Sequence, residues 1–314
     1  MDVSVIVPTR NRSRLLTATL RSVLRQRDVE LEVIVVDEGS SDDTPAILAA
    51  AAQDDPRVRI IRHDINRGVS TARNRGATEA CGEWVAFLDD DDLWAPDKLV
   101  RQLYAAKAAG CQWAYTGSVN ITDSLRIVHG EPPLPPENIV AALPHYNAIP
   151  GGGSNVVVRQ TTLQRAGPFD TRLRNTEDWE MWIRLAKAGP PAWVCRPLMA
   201  YRVHPSNSSL DIAEIMRGTR LIEDLHDTTA DWGRLHRWLG ESCLRTGQRR
   251  AALGQYARAA IRGQARGVAS DLAAILRRRL ARRNGNADDA TSLSAGAWID
   301  EASAWLRELD GGAP

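Results

Sequence analysis

One stretch constrains this chain more than any other: Phe87-Leu88-Asp89-Asp90-Asp91-Asp92-Leu93-Trp94, an apolar strand running straight into four consecutive aspartates. Neighbouring carboxylates repel one another, and each is hard to keep ionised unless a cation sits among them. Hard divalent ions take oxygen ligands, and Mg²⁺ is commonly held by one or two carboxylates together with the phosphates of a substrate. Open α/β sheets bind ligands outside the carboxyl ends of their strands, so the run reads as a metal–phosphate site. The alternative is an acidic turn entering a helix whose first turn holds Pro96 and Asp97. One or two acids would satisfy that turn.

The first hundred residues alternate strand and helix signals. Val3–Val7 is a β-branched run, and Arg14–Arg25 carries Leu15, Leu16, Leu20, Val23 and Leu24 at helical spacing. Leu31–Val36 is a second buried strand, followed by the helix-start signal Ser40-Ser41-Asp42-Asp43. Val58–Arg62, Ser70–Ala80 and Trp84–Leu88 complete a strand–helix–strand unit. Such alternation predicts an α/β fold with a mainly parallel sheet and helices on both faces. Beyond it come a helix over about 97–109, a strand over Trp113–Thr122, a loop at Pro132, Pro133, Pro135 and Pro136, and a strand over Asn155–Arg159 behind Gly151-Gly152-Gly153. From Asp211 the strands vanish and Ala, Leu and Arg dominate to Arg283, with a last helix over about 297–309. This predicts two parts, 1–210 and a helical accessory region at 211–314. Within the latter, Trp238–Gly247 followed by Ala251–Ala260 suits one tetratricopeptide-like helix pair.

Composition narrows the class. A net charge of +1 leaves no global excess for an electrostatic nucleic-acid binder. Cys81, Cys111, Cys195 and Cys243 form no CxxC pair, which argues against a zinc cage and points to a reducing, cytoplasmic setting. Met1–Pro8 lacks a basic leader, and no uncharged apolar stretch is long enough to span a bilayer. The basic run Arg277–Arg283 suits either a solvated helix face or peripheral contact with anionic lipid.

Several strand ends converge on one ligand type. The first strand ends in Pro8-Thr9-Arg10-Asn11-Arg12 and the second in Asp37-Glu38-Gly39-Ser40-Ser41, on the same sheet edge as the aspartates. Carboxylates there can accept hydrogen bonds from a nucleobase or ribose. Asn66–Gly76 offers a tight turn at Gly68, a helix start and Arg67, Arg73 and Arg75, a combination suited to phosphate. Asn175-Thr176-Glu177-Asp178-Trp179 reads on its own as an acidic helix start with Asn175 or Thr176 as cap. Trp182 reads as core.

Taken in order, Val3–Asn11, Val33–Thr44, Asn66–Gly76, Gly82–Leu99, Asn175–Leu185 and Tyr201–Ser209 resemble an inverting family-2 glycosyltransferase of the GT-A nucleotide-sugar fold. The resemblance implies a nucleoside-diphosphate-sugar donor, a Mn²⁺ or Mg²⁺ cofactor, and a DXD signature at Asp89-Asp90-Asp91. Asp91 would bind metal, Asp89 and Asp90 metal or ribose, and Asp92 would begin the next turn. It also implies donor contacts from Pro8, Thr9, Arg10, Asn11, Asp37, Glu38, Asn66, Gly68 and Arg73. Asp178, beside Glu177, would deprotonate the acceptor. His204 would help hold metal or diphosphate, with Arg202 and Ser208 as further phosphate contacts. Glu38 stands where members using uridine diphosphate sugars commonly carry a second aspartate, which leaves the base open. The acceptor, whether small molecule, glycan, lipid-linked or peptide, has no readable motif.

Two other classes stay open at this point. A sugar-phosphate nucleotidyltransferase also uses an α/β sheet and a divalent ion, but Pro8–Arg12 lacks the glycine and lysine of its phosphate loop. A nucleotide-sugar-binding module docking a protein or peptide through its helical tail would not need Asp91, Asp178 and His204 together.

Overall fold

The structure, a computed structural model, describes residues 1–204, 211–245, 247–283 and 293–310. It divides into two units: 1–143 with 147–203 and 297–314, and 144–146 with 204–296.

In the first unit, β1 (Val3–Thr9), β2 (Leu31–Asp37), β3 (Val58–Arg62) and β4 (Trp84–Phe87) lie in the order β3-β2-β1-β4, all parallel. Every residue of β1 and β2 is buried, as expected where helices cover both faces. The two-residue period explains which helix goes where. Val3, Val5 and Val7 share a core with Leu16, Leu20 and Val23 of α1 (Leu16–Leu24) and Leu48 of α2 (Thr44–Asp54). Ile6 faces the other way, towards α3 (Val69–Glu79). A Cβ placed on Gly76 of that helix would lie 2.4 Å from the Ile6 side chain. Glycine is what lets α3 approach this closely.

Past β4 the sheet becomes mixed, which refines the mainly parallel expectation. β8 (Val157–Arg159) is antiparallel to β4 and to β6 (Trp113–Ile121), while β9 (Ala192–Arg202) is parallel to β6. The short β5 (Leu93–Trp94) and β7 (Ile127–Glu131) pair antiparallel with β9 and β6. Helices α4 (Lys98–Ala109), α5 (Pro136–Ala142), α6 (Gln160–Ala166) and α7 (Glu177–Ala188) link these strands.

The last helix, α12 (Leu293–Asp310), departs from the single 211–314 tail that composition suggests. Ala302, Trp305, Leu306 and Leu309 recur at helical spacing and form a second core with Leu93, Val119, Ile121, Leu198 and Ala200. Trp305 Nε1 donates to the Pro197 carbonyl at 2.8 Å, and Arg196 Nε pairs with Glu301 at 2.6 Å. α12 therefore completes the sheet unit.

The second unit holds α8 (Ile212–His226), α9 (Trp232–Arg245), α10 (Arg249–Ala259) and α11 (Ala265–Arg283). Asp211 caps α8 by accepting from the Glu214 N–H, and buried His236 meets Gln255 at 2.6 Å. α9 and α10 are the pair in which a tetratricopeptide-like unit is expected. The side chains of 277–283 and the break at 284–286 lie outside the described residues. Among the described residues no helix is long and apolar enough to cross a membrane.

If α12 belongs to the sheet unit, Leu306→Ala should lower unfolding free energy by about 2–5 kcal/mol in urea titrations. Leu253→Ala, at an exposed position of α10, should shift it by less than about 0.5 kcal/mol.

Candidate active site

The carboxyl ends of β1, β2 and β4 share one edge of the sheet, and three loops interlock there. Pro8 and Thr9 are the buried last residues of β1, while Arg10 and Asn11 emerge. Asn11 turns the chain at φ 52°, donates its N–H to Ser40 Oγ at 2.9 Å and accepts from the Ser41 N–H at 2.9 Å. The Arg10 N–H and Arg12 Nε donate to the Asp90 carboxylate at 3.3 and 3.2 Å, and Arg12 Nη2 lies 3.5 Å from Asp91 Oδ2.

The acids after β2 are committed to shaping loops. Asp37 accepts from the Ser40 N–H and from Arg62 Nη1, both at 2.9 Å. Glu38 accepts from the N–H groups of Arg67 and Gly68 and pairs with His63 Nδ1. Gly68, at φ 90°, also donates to Asn66 Oδ1 at 2.9 Å. Glu38 thus braces the turn that starts α3, a contact the sequence does not disclose.

From α3, Arg73 spans the two halves of the site. It is only 2% exposed, with Nη2 on Asp89 at 2.6 Å and Nη1 on Glu177 at 2.7 Å. Burial opposes its charge, but Asp89, Glu177 and Asp178 outweigh that and hold the guanidinium protonated above its ordinary range. Both terminal nitrogens face carboxylates, so Arg73 bridges the aspartate loop and the start of α7.

Within the aspartate run the surroundings differ. Asp89 keeps part of its side chain open, whereas Asp90, Asp91 and Asp92 are buried. Burial, then repulsion from Asp91, pushes Asp90 up to about 7, with Arg12 opposing. Burial and the same neighbours raise Asp92 well above the carboxylate range. Asp92 does more than begin a turn: it accepts from Ser154 Oγ at 2.6 Å and from the Arg202 N–H at 3.0 Å. Ser154 Oγ in turn accepts the Asp89 N–H at 3.0 Å, and Arg202 Nε donates to the Asp91 carbonyl at 2.9 Å. Asp92 is thus the buried node that ties Asp89 and Asp91 together through Ser154 and Arg202.

Asp178 stands in the first turn of α7, half-buried and closely surrounded. It accepts from Asn147 Nδ2 at 3.2 Å and from the Trp179 N–H at 2.7 Å. Burial and repulsion from Glu177, partly offset by Arg73, push it up to about 7. The capping alternative is not realised by Thr176, whose side chain makes no cap hydrogen bond. Thr176 Oγ1, Glu177 Oε2 and Arg73 Nε are buried without a hydrogen-bond partner among the described residues. Buried orphans of this kind are rare and gather at functional sites. The glycine run closes over the same place: a Cβ on Gly152 would lie 2.8 Å from Asp178 Oδ2, and one on Gly153 2.6 Å from Arg73 Nη2. Trp179 and Trp182 are buried, the former donating Nε1 to the Leu143 carbonyl at 2.6 Å.

His204 begins the main stretch of the second unit, and Ser208 lies outside the described residues. No three His, Cys, Asp or Glu side chains converge as a metal cage among the described residues. The oxygen donors of Asp89 and Asp91 still fit a hard cation, because Mg²⁺ takes as few as one or two carboxylates and completes its shell with phosphate and water. Burial is the main reason that Asp90 and Asp92 hold protons more tightly, with repulsion from Asp91 and Asp89 adding to it. Asn147 and Ser154 escape sequence reading, since an isolated polar residue in a Gly- and Pro-rich loop carries no periodic signal.

The profile described as Glycosyl transferase family 2 matches residues 4–159. The chain is 32% identical over 239 residues to TuaG of Bacillus subtilis, a protein named for a glycosyltransferase role in teichuronic acid biosynthesis, covering 73% of this chain and 92% of that one. It is 30% identical to the UDP-Glc:alpha-D-GlcNAc-diphosphoundecaprenol beta-1,3-glucosyltransferase WfgD of Escherichia coli, over 59% of this chain and 70% of that one. In fold it is similar to S. aureus TarS 1–349 crystallised with UDP-GlcNAc, at a TM-score of 0.60 and 19% identity over 77% of this chain and 71% of that one. With its parallel half-sheet, aspartate edge and acidic α7, the chain belongs to glycosyl transferase family 2 and is a glycosyltransferase.

Proposed function

We propose that the protein transfers a sugar from a nucleoside-diphosphate sugar to a hydroxyl-bearing acceptor with inversion, using Asp178 as the base. The observation that carries this reading is the Arg73 bridge, which joins Asp89 at the donor-side edge to Glu177 beside the base. Arg73 holds the start of α7 against the aspartate loop, so a sugar bound at one can meet an acceptor activated at the other. The acceptor oxygen forms the new bond to the anomeric carbon while the carbon–oxygen bond to the diphosphate breaks. Asp178 takes the acceptor proton, and the diphosphate leaves without one. Asn147 and the Trp179 N–H aim the Asp178 carboxylate, and Gly152 leaves room above it.

Asp91 and Asp89 would hold Mn²⁺ or Mg²⁺. Bound there, the ion would supply Lewis-acid neutralisation of the departing diphosphate. Pro8, Thr9, Arg10, Asn11, Asp37, Glu38, Asn66 and Gly68 form the wall assigned to the nucleoside, with Asp90 assigned to metal or ribose. WfgD and TarS make UDP-glucose and UDP-GlcNAc the first donors to screen. WfgD, named for transfer to alpha-D-GlcNAc-diphosphoundecaprenol, favours a lipid-linked acceptor.

Asp178→Asn should reduce transfer by about 10²–10⁴-fold while nucleoside diphosphate affinity, read by calorimetry, stays within a few-fold. Ordinary turnover in this variant would remove Asp178 as base. Because its carboxyl is pushed up to about 7, the base is protonated at lower pH, and the wild-type rate should climb as pH rises through that value. Chelation by EDTA should stop transfer, with Mn²⁺ or Mg²⁺ restoring it. Arg73→Met strands Asp89 and Glu177 and should cost about 3–5 kcal/mol of stability. A smaller loss in a Glu177→Gln background, measured as a double-mutant cycle, would report the coupling directly.

A further inference from the structure

The helical unit carries a surface that its own core does not explain. α10 and α11 meet through Tyr256, Ala259 and Val268, with Leu244 packed beside them. Turned away from that core, α10 bears a second apolar stripe, and α11 bears one along the flank of the core face. On α10 it is Leu253 and Ala257, continued by Ile261 just past the helix end, all exposed. Buried Ala252, Gln255, Tyr256 and Ala259 fall on the opposite side at 100° per residue. On α11 the stripe is Ala265, Ala269, Leu272 and Leu276, again exposed and at helical spacing. Leu253 is 66% exposed, Ile261 83%, Leu272 40% and Leu276 58%. The outer face of a water-facing helix is ordinarily polar.

The charge around these stripes is one-sided. Residues 245–283 contain eleven arginines, no lysine and a single acid, Asp271. That acid is already paired with Arg237 at 2.7 Å. Arg249, Arg250, Arg258, Arg262 and Arg266 are exposed, and Arg250 shares the outer side of α10 with Leu253 and Ile261. Two copies of the chain would repel through such faces. Aliphatic side chains among exposed arginines are instead what an anionic bilayer interface accepts, the former entering the acyl boundary and the latter binding lipid phosphate.

We propose that α10, the turn Ala260–Gln264 and α11 dock the protein peripherally on an anionic membrane surface. The surface would act whether or not Asp178 is the base, so its test is independent of transfer.

Full-length protein is floated with vesicles of phosphatidylcholine alone and of an equal mixture of phosphatidylcholine and phosphatidylglycerol. Binding should require the anionic lipid and weaken with added salt. Exchanging Arg250 or Arg258 for Gln should weaken it about fivefold each. The pair Leu253→Glu and Ile261→Glu should weaken it by roughly tenfold or more without moving the unfolding midpoint, since both positions are exposed. Leu272→Glu with Leu276→Glu should act alike on the second helix. Equal binding to neutral vesicles, or wild-type binding by both Glu pairs, would overturn the proposal. So would equally tight capture of soluble polyphosphate that the Glu pairs leave unchanged, which marks a polyanion site. Self-association of the wild type that Ile261→Glu abolishes would overturn it too, in favour of a dimer interface.

Discussion

A buried guanidinium sets the geometry on which the candidate active site depends. Moving one such ion out of water is costly, by several kcal/mol even after relaxation. Arg73 is tolerable inside only because Asp89 and Glu177 both reach it. Three segments far apart in sequence are thereby bound together: α3, the aspartate loop after β4 and the start of α7. The position of Arg73 depends in turn on Gly76, one turn along α3, which lets the helix settle against Ile6 of β1. Asp178 lies beside this bridge, where burial first and then repulsion from Glu177 raise its proton affinity against the opposing charge of Arg73.

Buried side-chain atoms without a partner among the described residues occur at this site as they do elsewhere, here beside left-handed backbone. Asn175 sits at φ 64° immediately before α7, and Gly151 and Gly152 are left-handed at 67° and 58°. Asparagine and glycine carry such angles at modest cost, whereas a branched residue would not. Thr176, Glu177 and Arg73 each keep one buried polar atom unpaired. A protein optimised only for stability would satisfy those atoms, and together with the left-handed backbone they suit a site organised around something it binds.

Much of this was legible in the sequence, for reasons that differ by region. The parallel half-sheet announces itself because Val3–Val7, Leu31–Val36 and Trp84–Leu88 are continuous apolar runs bounded by polar turns. β7 and β9 carry no clear strand signal, since Ile127–Glu131 and Ala192–Arg202 mix polar and apolar residues without clean alternation. The period of α12 predicts a buried stripe but not its partner, and similar composition wrongly grouped it with the helices before it. At the site, the aspartate run and Asp178 stand out as dense acidic motifs. The separate jobs of Asp92 and Glu38 do not, because tertiary partners, Ser154 and Arg202 for one and the Arg67–Gly68 backbone for the other, decide them.

The near-zero net charge is the sum of two opposed distributions. Basic residues crowd into 245–283, while the remainder of the chain is net acidic. The acids of the sheet edge make a locally negative field. The arginines of α10 and α11 have no comparable set of acids within their own segment. Whole-chain charge therefore argues against a uniformly basic nucleic-acid binder, yet says nothing about a local surface. Local charge becomes informative only alongside apolar exposure. Arginines alone describe a solvated helix, and exposed leucines alone describe an unspecific patch, whereas the two on the same helix faces define a surface with both a hydrophobic and an anionic complement.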